Sequence, residues 1–312
     1  MNSNIFKDCL ARKQMALQDG RPFWPELAQK YGMTPEELRS AFRREYAKHQ
    51  DKFVDERRFP IITLLDIETL PIIGYVWTPW DINMSVGQII EPTAMLSWSA
   101  KTLFSSKMKS DIMTPEEAIE RDDGRISQSL WEIMNGSDIV IGHNINGFDI
   151  KKMNSRFLVH GFNPPKPSQV IDTLDTAKKL FGFDSNKQEF LAMMLLSDHK
   201  IKTDFDLWKR CDNGDKAALD EMLKYNKYDV TLLEEIYLTI RPWMKGHPNL
   251  GLYTDEIIPV CNNCGSANVT ADGYYYTPAN RFDSYHCGNC GAYTRARVGN
   301  LEKEKKEVLL RN

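Results

Sequence analysis

Apolar residues first recur along this chain at helical spacing, with Trp24, Leu27, Ala28 and Tyr31 running into Gly32-Met33. Leu38 and Phe42 give a second stretch its own apolar face. Thr34 is placed to cap that second helix, Pro35 suits its first turn, and Glu37 stands where a capping box needs it. The pattern changes at Ile61-Ile62-Thr63-Leu64-Leu65, a nearly continuous apolar run of the kind a buried central strand requires. Further strands are predicted over 73–77, 94–100 and 138–141, and helices over 114–121, 125–135, 148–160, 173–181, 187–196 and 216–240. Strands first, then strands alternating with helices, predict an α/β sheet covered by helices. Gly246-His247-Pro248-Asn249 breaks the last long helix. The expected organisation is therefore a helical domain over 1–58, an α/β domain over 59–246, and a cysteine-bearing module with a charged tail over 247–312.

Composition adds limits. Hydrophobic residues make up 42% and charged residues 27% of 312, which are globular values that argue against disorder or coiled coil. No run approaches the roughly 18 apolar residues of a membrane span, and the first residues lack a signal-peptide core, so a soluble, unexported chain is expected. Charge is uneven: residues 1–60 carry 12 Lys and Arg against 9 Asp and Glu, whereas residues 61–250 carry 21 against 27. Arg39, Arg43, Arg44 and Lys48 fall on the polar side of the second helix. Helix, tight turn and basic helix outline a helix-turn-helix that could touch DNA, and a small bundle packed on the rest of the chain is the other reading. The four aromatics Trp77, Trp80, Trp98 and Phe104 are expected in the core.

The most informative residues are acids in three separated segments. Asp66 and Glu68 lie two apart at the end of an apolar strand, so both carboxylates face the same way. Asp149 follows a strand and a turn rich in Gly and Asn, and Tyr225 lies one helical turn before Asp229. Acids gathered in this way repel unless cations lie between them, and oxygen-only ligands suit Mg²⁺ or Mn²⁺. Asp172 ends a strand and is expected to cap the next helix, with His143 and Tyr228 as turn and packing residues.

Asp66-x-Glu68, Asn144-x-x-x-Phe148-Asp149 and Tyr225-x-x-x-Asp229 resemble, in order and spacing, the three motifs of the DEDD family of 3′–5′ exonucleases, over about residues 61–242. Lys224 stands where the family's other branch has a histidine, so the chain resembles the tyrosine variety, of the kind found in bacteria and their phages. The resemblance implies an RNase H-like mixed sheet flanked by helices and two Mg²⁺ or Mn²⁺ ions. It further implies that Asp66 bridges the ions, Glu68, Asp149 and Asp229 complete their shells, and Tyr225 orients the attacking water. Asn144 and Phe148 are candidates for touching the substrate, beside structural roles in the turn and beneath the site. A bacterial or phage-infected cytoplasm and a polymerase or other replication or repair partner are expected on the same ground. Structure-specific endonuclease action and a nucleic-acid-binding adaptor are the competing functions.

Cys261, Cys264, Cys287 and Cys290 form two Cys-x-x-Cys-Gly turns separated by 22 residues, a spacing that lets four thiolates converge on one structural Zn²⁺. The segment resembles a zinc ribbon. Arg281, Arg295 and Arg297, with a run of tyrosines, are candidates for gripping nucleic acid, and bracing the α/β domain is the alternative.

Overall fold

The computed structural model describes residues 24–35, 37–38, 41–42, 59–78, 80, 83–196, 203–254 and 257–310, together with Ile5, Asp8 and Cys9. The central sheet grows from β1 (Ile62–Leu70), whose apolar run is buried on both faces. β1 pairs antiparallel with β4 (Ala94–Thr102), which pairs antiparallel with β5 (Met108–Ile112). On its other side β1 pairs parallel with β6 (Ile139–Gly142), and β6 pairs parallel with β7 (Gln169–Asp172). The order β5-β4-β1-β6-β7 makes a five-stranded mixed sheet of RNase H-like topology, flanked by helices as expected.

Two apolar clusters cover the sheet. One draws on α3 (Gly124–Asn135), α4 (Asp149–Val159) and α7 (Phe205–Asp212); the other draws on α5 (Thr173–Leu180) and α6 (Gln188–Leu196). The 25-residue α8 (Lys216–Ile240) contributes to both, with Ala218 to Tyr225 in the first and Val230 to Ile240 in the second. α2 (Pro115–Glu120) opens with a capping box between Thr114 and Glu117. β5 and α7 escape the hydrophobic pattern because Met-Lys-Ser-Asp-Ile is a half-buried edge strand and α7 is only 8 residues long.

Between β1 and β4 the chain leaves the sheet. β2 is only Ile73–Gly74, paired with β3 (Ile89–Glu91), where a strand over 73–77 was expected. A side chain at Gly74 would meet the Gln88 carbonyl oxygen at 2.5 Å, so this close crossing requires glycine. Trp77 and Trp80 correct the expectation of a core role, being 98% and 76% exposed because no described element covers this excursion. Trp98 is buried, with its indole N–H donating to the Ile126 carbonyl at 3.0 Å. Phe104 is partly buried, and its ring lies 5.9 Å from the Arg241 guanidinium.

In the N-terminal segment α1 (Trp24–Lys30) is followed by Gly32 at φ 64° and by the expected Thr34–Glu37 capping box. Trp24, Leu27, Ala28, Leu38, Phe42 and Cys9 form a small core of their own. Arg39, Arg43, Arg44 and Lys48 lie outside the described residues. At the other end, β8 (Val269–Thr277), β9 (Asn280–Cys287) and β10 (Tyr293–Arg295) form a three-stranded antiparallel sheet, and α9 (Lys303–Glu307) follows. The Asn263 amide donates to the Arg241 and Met244 carbonyls at 2.9 and 3.1 Å, tying this module to the end of α8.

A buried charge cluster joins β4, α3 and α4. The fully buried Asp123 carboxylate accepts from Arg156 Nε and Nη2 at 2.6 Å each, from His160 Nε2 at 2.5 Å and from the Met95 N–H at 2.7 Å. Asp123→Ala leaves Arg156 without its counter-charge and is expected to lower unfolding stability by about 3–5 kcal/mol. Urea denaturation of the variant beside wild type reads this directly.

Candidate active site and cysteine cluster

Strand alternation puts Asp66 and Glu68 on the β1 face that also carries Ile62 and Leu64. Opposite them on β4 stand Ser99 and Ser97, and a bulge follows Glu68. Asp229, only 1% exposed, reaches the same place from α8. Carboxylate oxygens of Asp66, Glu68 and Asp229 lie within 4.8 Å of one another. Asp149 is outside that trio, but its Oδ1 accepts the Ile67 N–H at 3.2 Å, which binds it to β1 between the two strand acids.

Asp149 reaches this position through the turn after β6. Asn144 adopts φ 65°, and its carbonyl accepts from the Gly147 and Phe148 N–H groups at 3.0 and 2.9 Å. A side chain at Gly147 would lie 2.5 Å from Asn144 Oδ1, so glycine leaves room there for the Asn144 amide. Asp172 holds the turn from β7. It accepts the N–H groups of Asn144 and Asn146 at 2.9 and 3.0 Å, and it caps α5 through Leu174 and Asp175. His143 bonds Thr173 and the Asn186 carbonyl, while Tyr228 packs on the second cluster. Phe148 is partly exposed beside Asp149, with Lys152 Nζ 5.8 Å from its ring centre.

Tyr225 is largely buried one turn before Asp229, its ring edge-on to Trp208 at 6.2 Å. Two residues that the sequence reading left without a role complete the arrangement. Asn226, fully buried, donates its amide to Asp66 Oδ2 at 2.6 Å and to the Asp66 carbonyl at 3.3 Å. Gln188 donates to the Asp229 carbonyl at 2.7 Å. A polar residue three before Asp229 in an otherwise apolar helix face was the available signal for Asn226.

Burial pushes the Asp149 carboxyl up to about 7, against the lowering effect of the Ile67 N–H and its own backbone N–H, with the nearby Asp172 charge raising it further. Oxygen donors clustered in this way fit a hard divalent cation, which would relieve both burial and repulsion. A carboxyl raised in the fold binds more protons native than unfolded between its ordinary value near 4 and about 7, so stability falls as pH rises through that window. Asp149→Asn is therefore expected to raise the melting temperature of metal-free protein at pH 8 and to leave it nearly unchanged at pH 4. Scanning calorimetry at the two pH values checks this.

The four cysteines converge from two turns in which Gly265 and Gly291 adopt φ 70° and 79°. Cys261 and Cys290 sulfurs are 3.6 Å apart, as are those of Cys264 and Cys287. That is far beyond a disulfide bond of about 2.05 Å and close to the ~3.8 Å edge of a tetrahedron with Zn–S bonds of about 2.3 Å. Hydrogen bonds among the four sulfurs pull the Cys264 and Cys287 thiols below the ordinary range and push those of Cys261 and Cys290 above it.

A match to a family model agrees with this topology. The RNase_H superfamily model matches residues 105–241, a stretch that contains Asn144, Phe148, Asp149, Tyr225 and Asp229 and begins after Asp66 and Glu68. Among solved structures, the chain is similar to the family B DNA polymerase from the hyperthermophilic archaeon Pyrobaculum calidifontis, at 15% identity and a TM-score of 0.43. The similarity covers 62% of this chain and 25% of the polymerase, so the chain spans about a quarter of that protein's length. No curated protein matches. Among the described residues, no helix is long and apolar enough to cross a membrane.

Proposed function

We propose that this chain is a metal-dependent 3′–5′ exonuclease of the DEDD type that hydrolyses nucleic acid, with DNA preferred to RNA. The observation that carries the reading is the convergence of Asp66, Glu68 and Asp229 oxygens within 4.8 Å, with Asp149 hydrogen-bonded to the intervening Ile67. Such carboxylates, drawn from one strand and two helices, make an all-oxygen donor set. The RNase_H superfamily match over residues 105–241 supports phosphodiester chemistry at this sheet.

Asp66, Glu68, Asp149 and Asp229 would hold two Mg²⁺ or Mn²⁺ ions, which when bound supply a more acidic water and charge neutralisation at the leaving 3′-oxygen. Asn226 fixes one oxygen of Asp66 and the carbonyl behind it, which would hold this acid in position toward a metal. An amide does this without adding a charge that would compete with a cation. Tyr225, anchored against Trp208, orients the water. A phenol, with an ordinary pKa near 10, serves better as a hydrogen-bond partner than as a base at neutral pH. Phe148 presents a partly exposed ring beside Asp149 on which a terminal base can stack.

The four cysteines would hold one structural Zn²⁺, leaving no open coordination position for chemistry. Arg39 and Arg43, which lie outside the described residues, would contact DNA. A replication or repair polymerase acting in trans fits an exonuclease of this kind.

Digestion of 5′-labelled single-stranded DNA and RNA with Mg²⁺ or Mn²⁺ tests the reading. Wild type is expected to yield a descending ladder, faster on DNA, and Asp149→Ala none. An intact substrate in every lane overturns the enzyme reading, and cutting of a 3′-blocked strand replaces it with endonuclease action. Asn226→Ala is expected to reduce turnover by roughly 10–100-fold, as loss of a partner behind a metal ligand does. Raised Mn²⁺ should recover most of that loss, whereas a role in folding alone would show no dependence on metal concentration.

A further inference from the structure

Strand register divides the C-terminal sheet into two unlike faces. Tyr274 pairs with Asp283, Tyr276 with Arg281, and Tyr275 with Phe282, while Arg295 pairs with Ser284 and Tyr293 with His286. One face therefore carries Tyr274, Tyr276, Arg281 and Asp283. Here Asn300 accepts from Arg281 Nε at 2.9 Å and donates to Asp283 at 2.5 Å, so the following segment is laced onto this side. Arg281 lies 4.4 Å from the centre of the Tyr274 ring and shares its surroundings with a carboxylate.

The opposite face carries Tyr275, Phe282, Ser284, His286, Tyr293 and Arg295. The Arg295 guanidinium lies 4.0 Å from the Phe282 ring centre and 5.4 Å from that of Tyr275. Among the described residues its hydrogen bond is to the Ala296 carbonyl, and no carboxylate forms an ion pair with it. Beside it the His286 and Tyr293 rings are 4.8 Å apart, and the Tyr293 hydroxyl donates to Asp272 at 2.8 Å, which fixes an otherwise exposed ring. This face thus presents held planar groups and an Arg295 charge in no ion pair among the described residues, with the Asp272 carboxylate engaged by the Tyr293 hydroxyl.

We propose that this second face of the C-terminal sheet, centred on Arg295 and Tyr293, is a binding surface for single-stranded nucleic acid. Every base has a flat face, so stacking on a tyrosine and a guanidinium tolerates any sequence, and Arg295 answers the phosphate charge. A duplex, whose bases are already stacked, offers this face little. The module is fastened through Asn263 to the carbonyls that follow α8, and Asp229 and Ile240 are 11 residues apart on that helix. At about 1.5 Å per residue that stretch of helix is roughly 16 Å long, so the module's anchor point is set apart from Asp229. The inference extends the nuclease reading by giving that substrate a contact away from its 3′ end.

The test uses the full-length protein and a 5′-fluorescein 24-mer of oligodeoxythymidylate, with no added divalent ion, read by anisotropy, and with bound zinc quantified. Arg295→Ala and Tyr293→Ala are each expected to weaken binding about tenfold, the measured worth of one stacked base. Arg295→Lys should recover only part of the loss, and Tyr276→Ala, on the other face, should bind as wild type does. Wild-type affinity in both Arg295→Ala and Tyr293→Ala overturns the proposal and assigns the face to a protein partner. An equal loss in Tyr276→Ala, or preference for a blunt duplex, overturns it as well. Should Arg295→Ala lose its zinc, Tyr293→Ala decides. Adding Mg²⁺ or Mn²⁺ separates the two readings: binding without cutting removes the nuclease and keeps the surface, whereas cutting with undiminished variant binding does the reverse.

Discussion

Carboxylates crowded at one end of a sheet set the terms for the rest of this molecule. Two unit charges 4.8 Å apart repel by about 3.5 kcal/mol at an effective dielectric near 20, and Asp66, Glu68 and Asp229 fall within that distance. The fold holds them there with uncharged groups. Asn226 donates to Asp66, the Ile67 N–H donates to Asp149, and Gln188 secures the Asp229 carbonyl. None of these three groups is charged, and it is burial, with the nearby Asp172 charge adding to it, that holds the Asp149 carboxyl high.

α8 makes the arrangement possible by serving two cores at once. Its first half packs among α3, α4 and α7 and its second half among α5 and α6, and the polar interval between them contains Asn226 and Asp229. Apolar burial on both sides of that interval fixes the helix against β1, so the acids are positioned by a rigid element rather than by a loop. The turn before Asp149 achieves the same end differently. There Asp172 ties the Asn144 turn to the start of α5.

At the C-terminal end the physics is that of a small sheet without a core. Apart from the cysteines, only Ala292 and the partly buried Val269 belong to its cluster among the described residues, so a metal on the four sulfurs would supply restraint that burial does not. Asn263 then fastens the module to the carbonyls that end α8. A sheet stabilised in this way can leave aromatic and basic side chains on its surface, since it does not need them inside.

Much of this was legible in the chain itself. The apolar run of β1 declared a central strand, the capping box at Thr34 and Glu37 declared a helix start, and the Asp172 cap was readable from its place at a strand end. Those features are local, decided by steric preference and hydrogen bonds within a few residues. The spacing of the acids also reveals which of them share a face within one element. Tertiary structure alone decided what met across elements: Asn226 against Asp66, Asp149 against Ile67, and the Asp123 cluster joining β4 to α4. It also decided exposure, turning Trp77 and Trp80 outward where composition favoured the core, because burial depends on which distant segment covers a residue. The two faces of the C-terminal sheet were likewise hidden until strand register set them, since a shift of one residue would exchange them.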